Sequence, residues 1–279
     1  IGDATRPVLT LATGGSVVVR NGLALVNGGT FDAANGTLYF EGTTGVTVAG
    51  GGSATLARSG GTTYANYNTS GTTGGVFTIG AGVTLSGYTN LSNYYSGGLV
   101  NSGTILANTT NTLTINTTNF TNGGVINAVS GTLNISTGST TTTPFANDGS
   151  LVVGGATVTI NPNATLAWSN AGNINLQSGI VNLDGKVAPS VIGAGRFTRG
   201  GGQVNLTGVL DMAGATLDVG NAGLFGSGGL TGIVGGTLRN AVLVRDSGTL
   251  TATNATFDGV TIGDATRPVL TLATGGSVV

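Results

Sequence analysis

The acidic side chains are the first candidates for chemistry, because the chain has ten of them and no histidine. They are Asp3, Asp32, Glu41, Asp148, Asp184, Asp211, Asp218, Asp246, Asp258 and Asp264. Polysaccharide cleavage needs paired carboxyl groups, or a metal-assisted base, at a fixed separation. No two of these residues are adjacent, although Asp184, Asp211 and Asp218 could converge across successive strands. Asp184 and Asp258 each precede a glycine, which is typical of an aspartate that caps backbone amides in a turn. We therefore expect no catalytic residues.

Other common kinds of active site are excluded by composition or spacing. Without histidine there is no base for a Ser-His-Asp triad, and no Gly-x-Ser-x-Gly occurs. Lys186 follows a glycine, but Val187 and Ile180 replace the Ser/Thr and the leading glycine of a phosphate-binding loop. Zero cysteines exclude disulfides and thiolate metal ligands. We expect no cofactor and no metal centre, and a lone surface calcium ion is left open.

Aromatic and cationic side chains supply the candidate binding residues. Five of the six tyrosines fall in segment 60–95, namely Tyr64, Tyr67, Tyr88, Tyr94 and Tyr95. Because this segment has few clean apolar alternations before Val76, we expect a side loop here, whose tyrosines either stack on a glycan or partner or pack against the protein. Arg196 and Arg199 flank Phe197 and are a second candidate, for contact with another chain or an acidic glycan.

The overall composition indicates a folded, nearly neutral, glycine-rich protein. Hydrophobic residues make up 39% and charged residues 7%, the net charge is −1, and 53 of 279 residues are glycine. Disorder requires low hydrophobicity and high net charge, so it fits poorly. The balanced charge gives no steering toward nucleic acid or an anionic membrane. No apolar stretch reaches the roughly 20 residues of a membrane helix.

Short runs of alternating apolar and polar residues recur along the whole chain. They include 8–11, 37–40, 46–48, 113–115, 133–135, 158–160, 174–176, 204–206 and 217–219. A period of two is typical of a strand with one buried face. Gly, Asn or Ser bounds nearly every run, and these residues favour turns. The chain is therefore predicted to be all-β.

A shorter repeat of 21–25 residues lies within the chain. Aligned copies begin at Asn101, Asn122, Asn147, Asn170 and Gly193. Copies of this length, with one internal order and polarity, favour stacked coils that close a common core. We predict a right-handed parallel β-helix, a β-solenoid of roughly 12 coils of about 21–25 residues. A β-sandwich or barrel is the alternative, since it also uses many short strands.

The two ends of the chain are identical over eighteen residues. Residues 1–18 and 262–279 both read IGDATRPVLTLATGGSVV. We interpret 1–261 as one repeat unit and 262–279 as the start of the next, with an engineered duplication as the alternative. With strands spaced about 4.8 Å apart, roughly 12 coils span on the order of 57 Å. The closing segment is then expected to take the opening segment's place further along the axis.

The Asn-x-Gly-x-Ile/Leu coils and Thr/Asn-rich faces resemble bacterial secreted β-helix proteins. So do the Gly-Thr-Leu strand starts at Gly36, Gly131, Gly236 and Gly248. These proteins include filamentous-haemagglutinin-type adhesins and autotransporter passenger domains. The resemblance implies an extracellular, rod-like cell-surface protein for adhesion or cell–cell connection. The chain departs from this group in its near-perfect long repeat, and it contains no Arg-Gly-Asp.

Three functions follow as hypotheses. The first is a non-enzymatic structural filament or stalk of tandem units, in which identical units join end to end. The second is an adhesin module that binds a glycan or a protein through the 60–95 segment. The third is a polysaccharide-degrading β-helix enzyme. Adjacent identical units are the expected partners, with other filaments or surface glycans as further ones; nucleic acid and a membrane span in this segment are not expected.

Overall fold

The protein is a parallel β-solenoid. The computed structural model describes residues 8–67, 74–138, 144–162, 165–221, 223–246, 249–267 and 271–274. Strands make up 57% and helix 2%, and the stacked parallel strands form about 10 turns. This confirms the predicted fold class, with a turn number close to the expected one. A sandwich or barrel of hairpins would give antiparallel pairs, whereas the ladders between the described strands are parallel.

Each turn contributes a strand to three faces, which we number in chain order. Face 1 contains β3 (Leu23–Val26), β6 (Thr44–Ala49), β8 (Gly75–Ile79), β10 (Gly97–Asn101), β13 (Asn119–Asn122), β16 (Phe145–Asn147), β19 (Ser169–Asn170), β22 (Lys186–Val187), β25 (Val209–Asp211), β28 (Thr237–Arg239) and β31 (Thr256–Asp258). Face 2 contains β1 (Val8–Thr10), β4 (Thr30–Asp32), β11 (Thr104–Ala107), β14 (Val125–Ala128), β17 (Ser150–Val153), β20 (Asn173–Leu176), β23 (Phe197–Arg199), β26 (Thr216–Asp218), β29 (Val242–Val244) and β32 (Thr261–Ile262). Face 3 contains β2 (Ser16–Val19), β5 (Thr37–Glu41), β12 (Thr112–Asn116), β15 (Thr132–Ile135), β18 (Thr157–Ile160), β21 (Ile180–Leu183), β24 (Gln203–Leu206), β27 (Gly232–Val234), β30 (Thr249–Thr253) and β33 (Thr271–Thr274).

Two long strands, β7 (Ala54–Tyr67) and β9 (Val83–Asn93), each run across faces 2 and 3. A single 3₁₀ helix occurs among the described residues, Pro189–Ile192, between β22 and β23. On face 1 the ladder passes from β19 to β22 through one bridge, between Trp168 and Val187.

Inward side chains form continuous rows, because strands aligned in register place equivalent residues directly above one another. The main row of face 1 is Phe77, Leu99, Phe120, Phe145, Trp168, Val187, Leu210 and Leu238. The matching row of face 3 is Leu91, Ile115, Ile135, Ile160, Leu183, Leu206 and Ile233. These side chains are almost wholly buried. Each contributes about 1.5–3 kcal/mol by leaving water, so the stack as a whole provides the stability that one coil lacks.

A ladder of asparagines ends four strands of face 1. Asn101 donates from Nδ2 to Asn122 Oδ1 at 2.7 Å, and Asn122 donates likewise to Asn147 at 2.7 Å. Asn147 in turn donates to Asn170 at 2.8 Å. All four side chains are buried, so their amides need these partners. The register confirms the alignment of these positions that the sequence repeat predicted.

The expected side loop over 60–95 is wrong for most of that segment. Residues 54–67 and 83–93 form β7 and β9, which pair with each other along both faces. The apolar alternation is lost here because Arg58, Thr63 and Thr89 occupy buried positions that elsewhere hold aliphatic side chains. The hydroxyl groups of Thr63 and Thr89 form a hydrogen bond with each other, with 3.4 Å between their oxygens.

The two copies of the eighteen-residue segment do not lie on the same face where both are described. Thr10 ends β1 and pairs with Asp32 on face 2. Its counterpart Thr271 begins β33 and pairs with Thr249 on face 3. Both copies therefore contribute a strand to a parallel ladder, but equivalent residues lie one face later in the second copy than in the first. The expectation that it re-enters an equivalent place is wrong in this respect.

Candidate functional site

Tyrosines on the outer surface of face 3 form the most distinctive site of the molecule. Tyr39 in β5 and Tyr64 in β7 are direct partners in register, so their side chains leave neighbouring strands at the same point. Tyr67 lies at the end of β7, opposite Glu41. Tyr94 and Tyr95 directly follow β9. We call these five residues the tyrosine patch.

Tyr94 is the centre of the patch. Its ring centroid lies 5.4 Å from that of Tyr64, 4.9 Å from that of Tyr67 and 5.1 Å from that of Tyr95, all edge to face. Tyr39 stacks on Tyr64 with centroids 5.2 Å apart and planes inclined by 11°. These are the separations and orientations that aromatic pairs prefer, so the rings hold one another in place.

The patch is exposed and nearly neutral. Tyr94 is 50% exposed, and the other four rings are partly exposed. The neighbouring charges compensate each other, since Arg20 Nε lies 2.6 Å from Glu41 Oε2. Aromatic faces with hydroxyl groups at their edges can stack on the C–H faces of a sugar ring and hydrogen-bond to its hydroxyls. The arrangement is therefore suited to a neutral polyhydroxylated ligand.

Four of the five tyrosines that the sequence singled out meet in this patch. Tyr88 does not, since it pairs in register with Ser59 and packs against the hydrophobic core. Tyr39 was missed, because it lies outside 60–95 and joins the patch only through its pairing with Tyr64 one turn away. Aligning the sequence of β5 with that of the second half of β7, as strands of successive turns, could have identified Tyr39.

Main-chain oxygens surround the two candidate arginines. Arg196 donates from Nη1 to the carbonyl oxygen of Ala171. Arg199 donates to the carbonyl oxygens of Gly202, at 2.6 Å, and of Gly229. Burial lowers the pKa of the Arg199 guanidinium. Both side chains thus hydrogen-bond to loops on neighbouring turns. Their contact with another chain or an acidic glycan stays a prediction.

The aspartates considered for catalysis are engaged in local contacts. Asp184 Oδ1 accepts from the backbone N–H of Gly185 at 2.7 Å, the turn-capping role that its sequence context indicates. Asp211 accepts from the N–H of Ala213 and the side chain of Asn240, and these bonds lower its pKa. Asp218 Oδ2 accepts a hydrogen bond from Arg267 Nη1. Across the described ranges, no group of three or more Asp, Glu, His or Cys could hold a metal ion.

Comparison with known proteins adds no relative. No family model matches the chain, and neither the curated proteins nor the solved structures contain a match. The described part of the chain also has no helix of the length and apolarity needed to cross a bilayer. The solenoid and the tyrosine patch are therefore the features of this chain that bear on its function.

Proposed function

We propose that this chain is one unit, with the start of the next, of an extracellular filament or stalk built from tandem β-solenoid units. Its role is mechanical, in adhesion or cell–cell connection, and it is not enzymatic. Identical units adjoin end to end, and other filaments or surface glycans are the outside partners. The resemblance to secreted β-helix surface proteins, including adhesins and autotransporter passengers, belongs to the same proposal.

One observation carries the proposal: the ladder of face 3 continues without interruption from the body of the unit into the duplicated segment. Leu250 in β30 pairs with Leu272 in β33, and Leu272 belongs to the second copy of the eighteen-residue segment. An open solenoid end exposes unpaired backbone groups, which need a cap. A following unit supplies that cap and extends the same hydrogen-bonded stack.

Electron microscopy of tandem chains tests this function. Chains of one, two and three units should appear as straight rods that lengthen by about 50 Å per unit, as about 10 turns of 4.8 Å require. The 279-residue chain is the control for the width and length of a single unit. Separate globules joined by flexible segments, or a length that does not increase, would contradict the proposal.

An adhesin module is the second candidate, and the tyrosine patch is the observation that favours it. Such an exposed aromatic cluster is typical of a binding surface rather than of a solvated strand face. In this function the solenoid is a rigid support that presents the patch.

Binding of the purified chain to an array of neutral and acidic oligosaccharides tests the adhesin function. Tyr64→Ala and Tyr94→Ala should each weaken binding about tenfold or more, because stacked rings carry the contact. Tyr88→Phe is the control, since Tyr88 lies outside the patch. Unchanged binding by the two alanine variants, or no binding by the parent chain, would rule this function out.

A further inference from the structure

The second copy of the repeated segment begins with a turn that its own side chains close. Asp264 Oδ1 accepts from the backbone N–H groups of Thr266 and Arg267, at 2.8 and 2.7 Å, and from the Thr266 hydroxyl at 2.7 Å. The Asp264 N–H donates to the Arg267 carbonyl at 3.0 Å. These bonds fix the direction in which Arg267 leaves the turn.

Arg267 lies between two carboxylates from different parts of the chain. Its Nη1 donates to Asp218 Oδ2 at 2.5 Å, and its Nη2 donates to Asp264 Oδ2 at 3.1 Å. Asp218 ends β26, whereas Asp264 follows β32, two turns later on the same face. Asp218 is itself fixed, since its Oδ1 accepts from the Gly220 N–H at 2.8 Å. The three side chains are only about one quarter to one third exposed.

The segment also extends two ladders of the preceding turn. Ile262 pairs with Leu243 on face 2, and the Gly263 N–H donates to the Leu243 carbonyl at 2.9 Å. On face 3, β33 pairs with β30. Backbone ladders alone fix register weakly here, because a slip by two residues would place Leu272 opposite Ala252, another apolar residue of β30. The ion pair of Arg267 with Asp218 removes this ambiguity of register, because it forms in only one alignment of the strands.

We infer that Asp218, β29 and β30 form a docking surface for the opening segment of the next identical unit, and that the Asp264–Arg267–Asp218 cluster sets its register. The inference rests on the proposed tandem function and specifies how one unit recognises the next. The occupant is the sequence IGDATRPVLTLATGGSVV, whose second copy already occupies this surface in part. In a chain with only 9 Lys and Arg against 10 Asp and Glu, the use of three charges at one joint marks it as specific.

The repeat itself provides a matched control for the test. Arg267→Gln and Arg6→Gln remove the same side chain from the same local sequence in the full chain, and Arg6 lies outside the described residues. Hydrogen exchange of the amides in 261–267 should accelerate about five- to tenfold in Arg267→Gln and stay unchanged in Arg6→Gln, a range consistent with a partly buried ion-pair network. Asp218→Asn should match Arg267→Gln.

The double variant Asp218→Asn/Arg267→Gln separates a shared contact from two independent ones. It should exchange no faster than either single variant, because both changes remove the same interaction. Equal exchange in Arg6→Gln and Arg267→Gln, or additive effects in the double variant, would overturn the docking surface. If the docking surface is overturned but rods still lengthen with the number of units, the proposed filament function is retained.

Discussion

Arg58 is the charged side chain that lies deepest among the described residues, at 3% exposure. Its guanidinium donates to the carbonyl oxygens of Gly36, at 2.6 Å, and Gly60, at 2.9 Å, and also to that of Ala33 at 3.2 Å. It thereby joins the corners between faces 2 and 3 on two successive turns. Burial lowers its pKa to about 10, against a smaller opposing effect of Asp32, so it remains charged at neutral pH.

Replacing Arg58 by methionine is expected to lower the free energy of unfolding by about 3 kcal/mol or more, because three carbonyl groups lose a charged donor, two of them at buried contacts. Urea denaturation followed by circular dichroism measures the loss. Arg20→Met is the control, since Arg20 is exposed and its ion pair with Glu41 contributes at most about 1 kcal/mol. Equal midpoints for the two variants would show that Arg58 is not a structural anchor.

Asp264 is expected to make the proposed joint between units sensitive to acid. Hydrogen bonds from the Thr266 hydroxyl and from the Arg267 and Thr266 N–H groups lower its pKa to about 2 from an ordinary 3.8. An acid with a lowered folded-state pKa stabilises the fold above its ordinary pKa and loses that contribution as the pH falls through the folded value. The melting temperature should therefore decrease between about pH 4 and pH 2 by more in the parent chain than in Asp264→Asn. Parallel curves would contradict this role of Asp264.

At the scale of elements, the asparagine ladder fixes the register of the strands of face 1. Asn122 accepts from Asn101 and donates both to Asn147 Oδ1 and to the Ser150 carbonyl. The Asn122 amide thus joins three consecutive turns at a point where an aliphatic side chain would leave the register free to shift. The asparagine row therefore specifies which residues of neighbouring strands pair, because hydrophobic burial alone does not distinguish one apolar position from the next.

The change Asn122→Asp tests this role. It removes both donated hydrogen bonds and places a carboxylate against Asn147 Oδ1, which costs about 3 kcal/mol or more in a buried site. We expect the melting temperature to fall by more than about 5 °C in a chain of this size. Asn108→Asp is the control, because Asn108 is exposed. A similar small shift in both variants would mean that the ladder does not stabilise the strands.

At the scale of the whole molecule, the change of face between the two copies predicts how units would follow one another in the proposed array. Thr10 lies on face 2 in the first copy, whereas the equivalent Thr271 lies on face 3 in the second, so one unit comprises whole turns plus one face. Successive units of a tandem rod are then rotated by one third of a turn. Their tyrosine patches point to three sides in succession.

The axial repeat of tandem rods measures this rotation. With about 50 Å per unit, the structure should return to the same orientation only after three units, or roughly 150 Å. Averaged images of long arrays by electron cryomicroscopy give this value directly. A true repeat of roughly 50 Å would show that each unit returns to the same face.

The sequence by itself determined the solenoid and much of its register. Alternation of apolar residues is a local property, and asparagines 101, 122, 147 and 170 recur at spacings close to one turn, so both patterns could be interpreted without coordinates. The four tyrosines that meet after residue 60 were also found as candidates from composition alone.

Only the tertiary structure decided which distant residues become neighbours. Turn length varies, from 19 residues between Thr237 and Thr256 to 33 between Val46 and Ile79, and each difference shifts the position of every later side chain. For that reason the pairing of Tyr39 with Tyr64, the burial of Arg58 and the contact of Arg267 with Asp218 were not deduced. Which side chains meet between neighbouring turns of a solenoid depends on the number of residues in every intervening strand and corner. The apolar alternation that predicts a strand depends only on residues next to one another in the sequence.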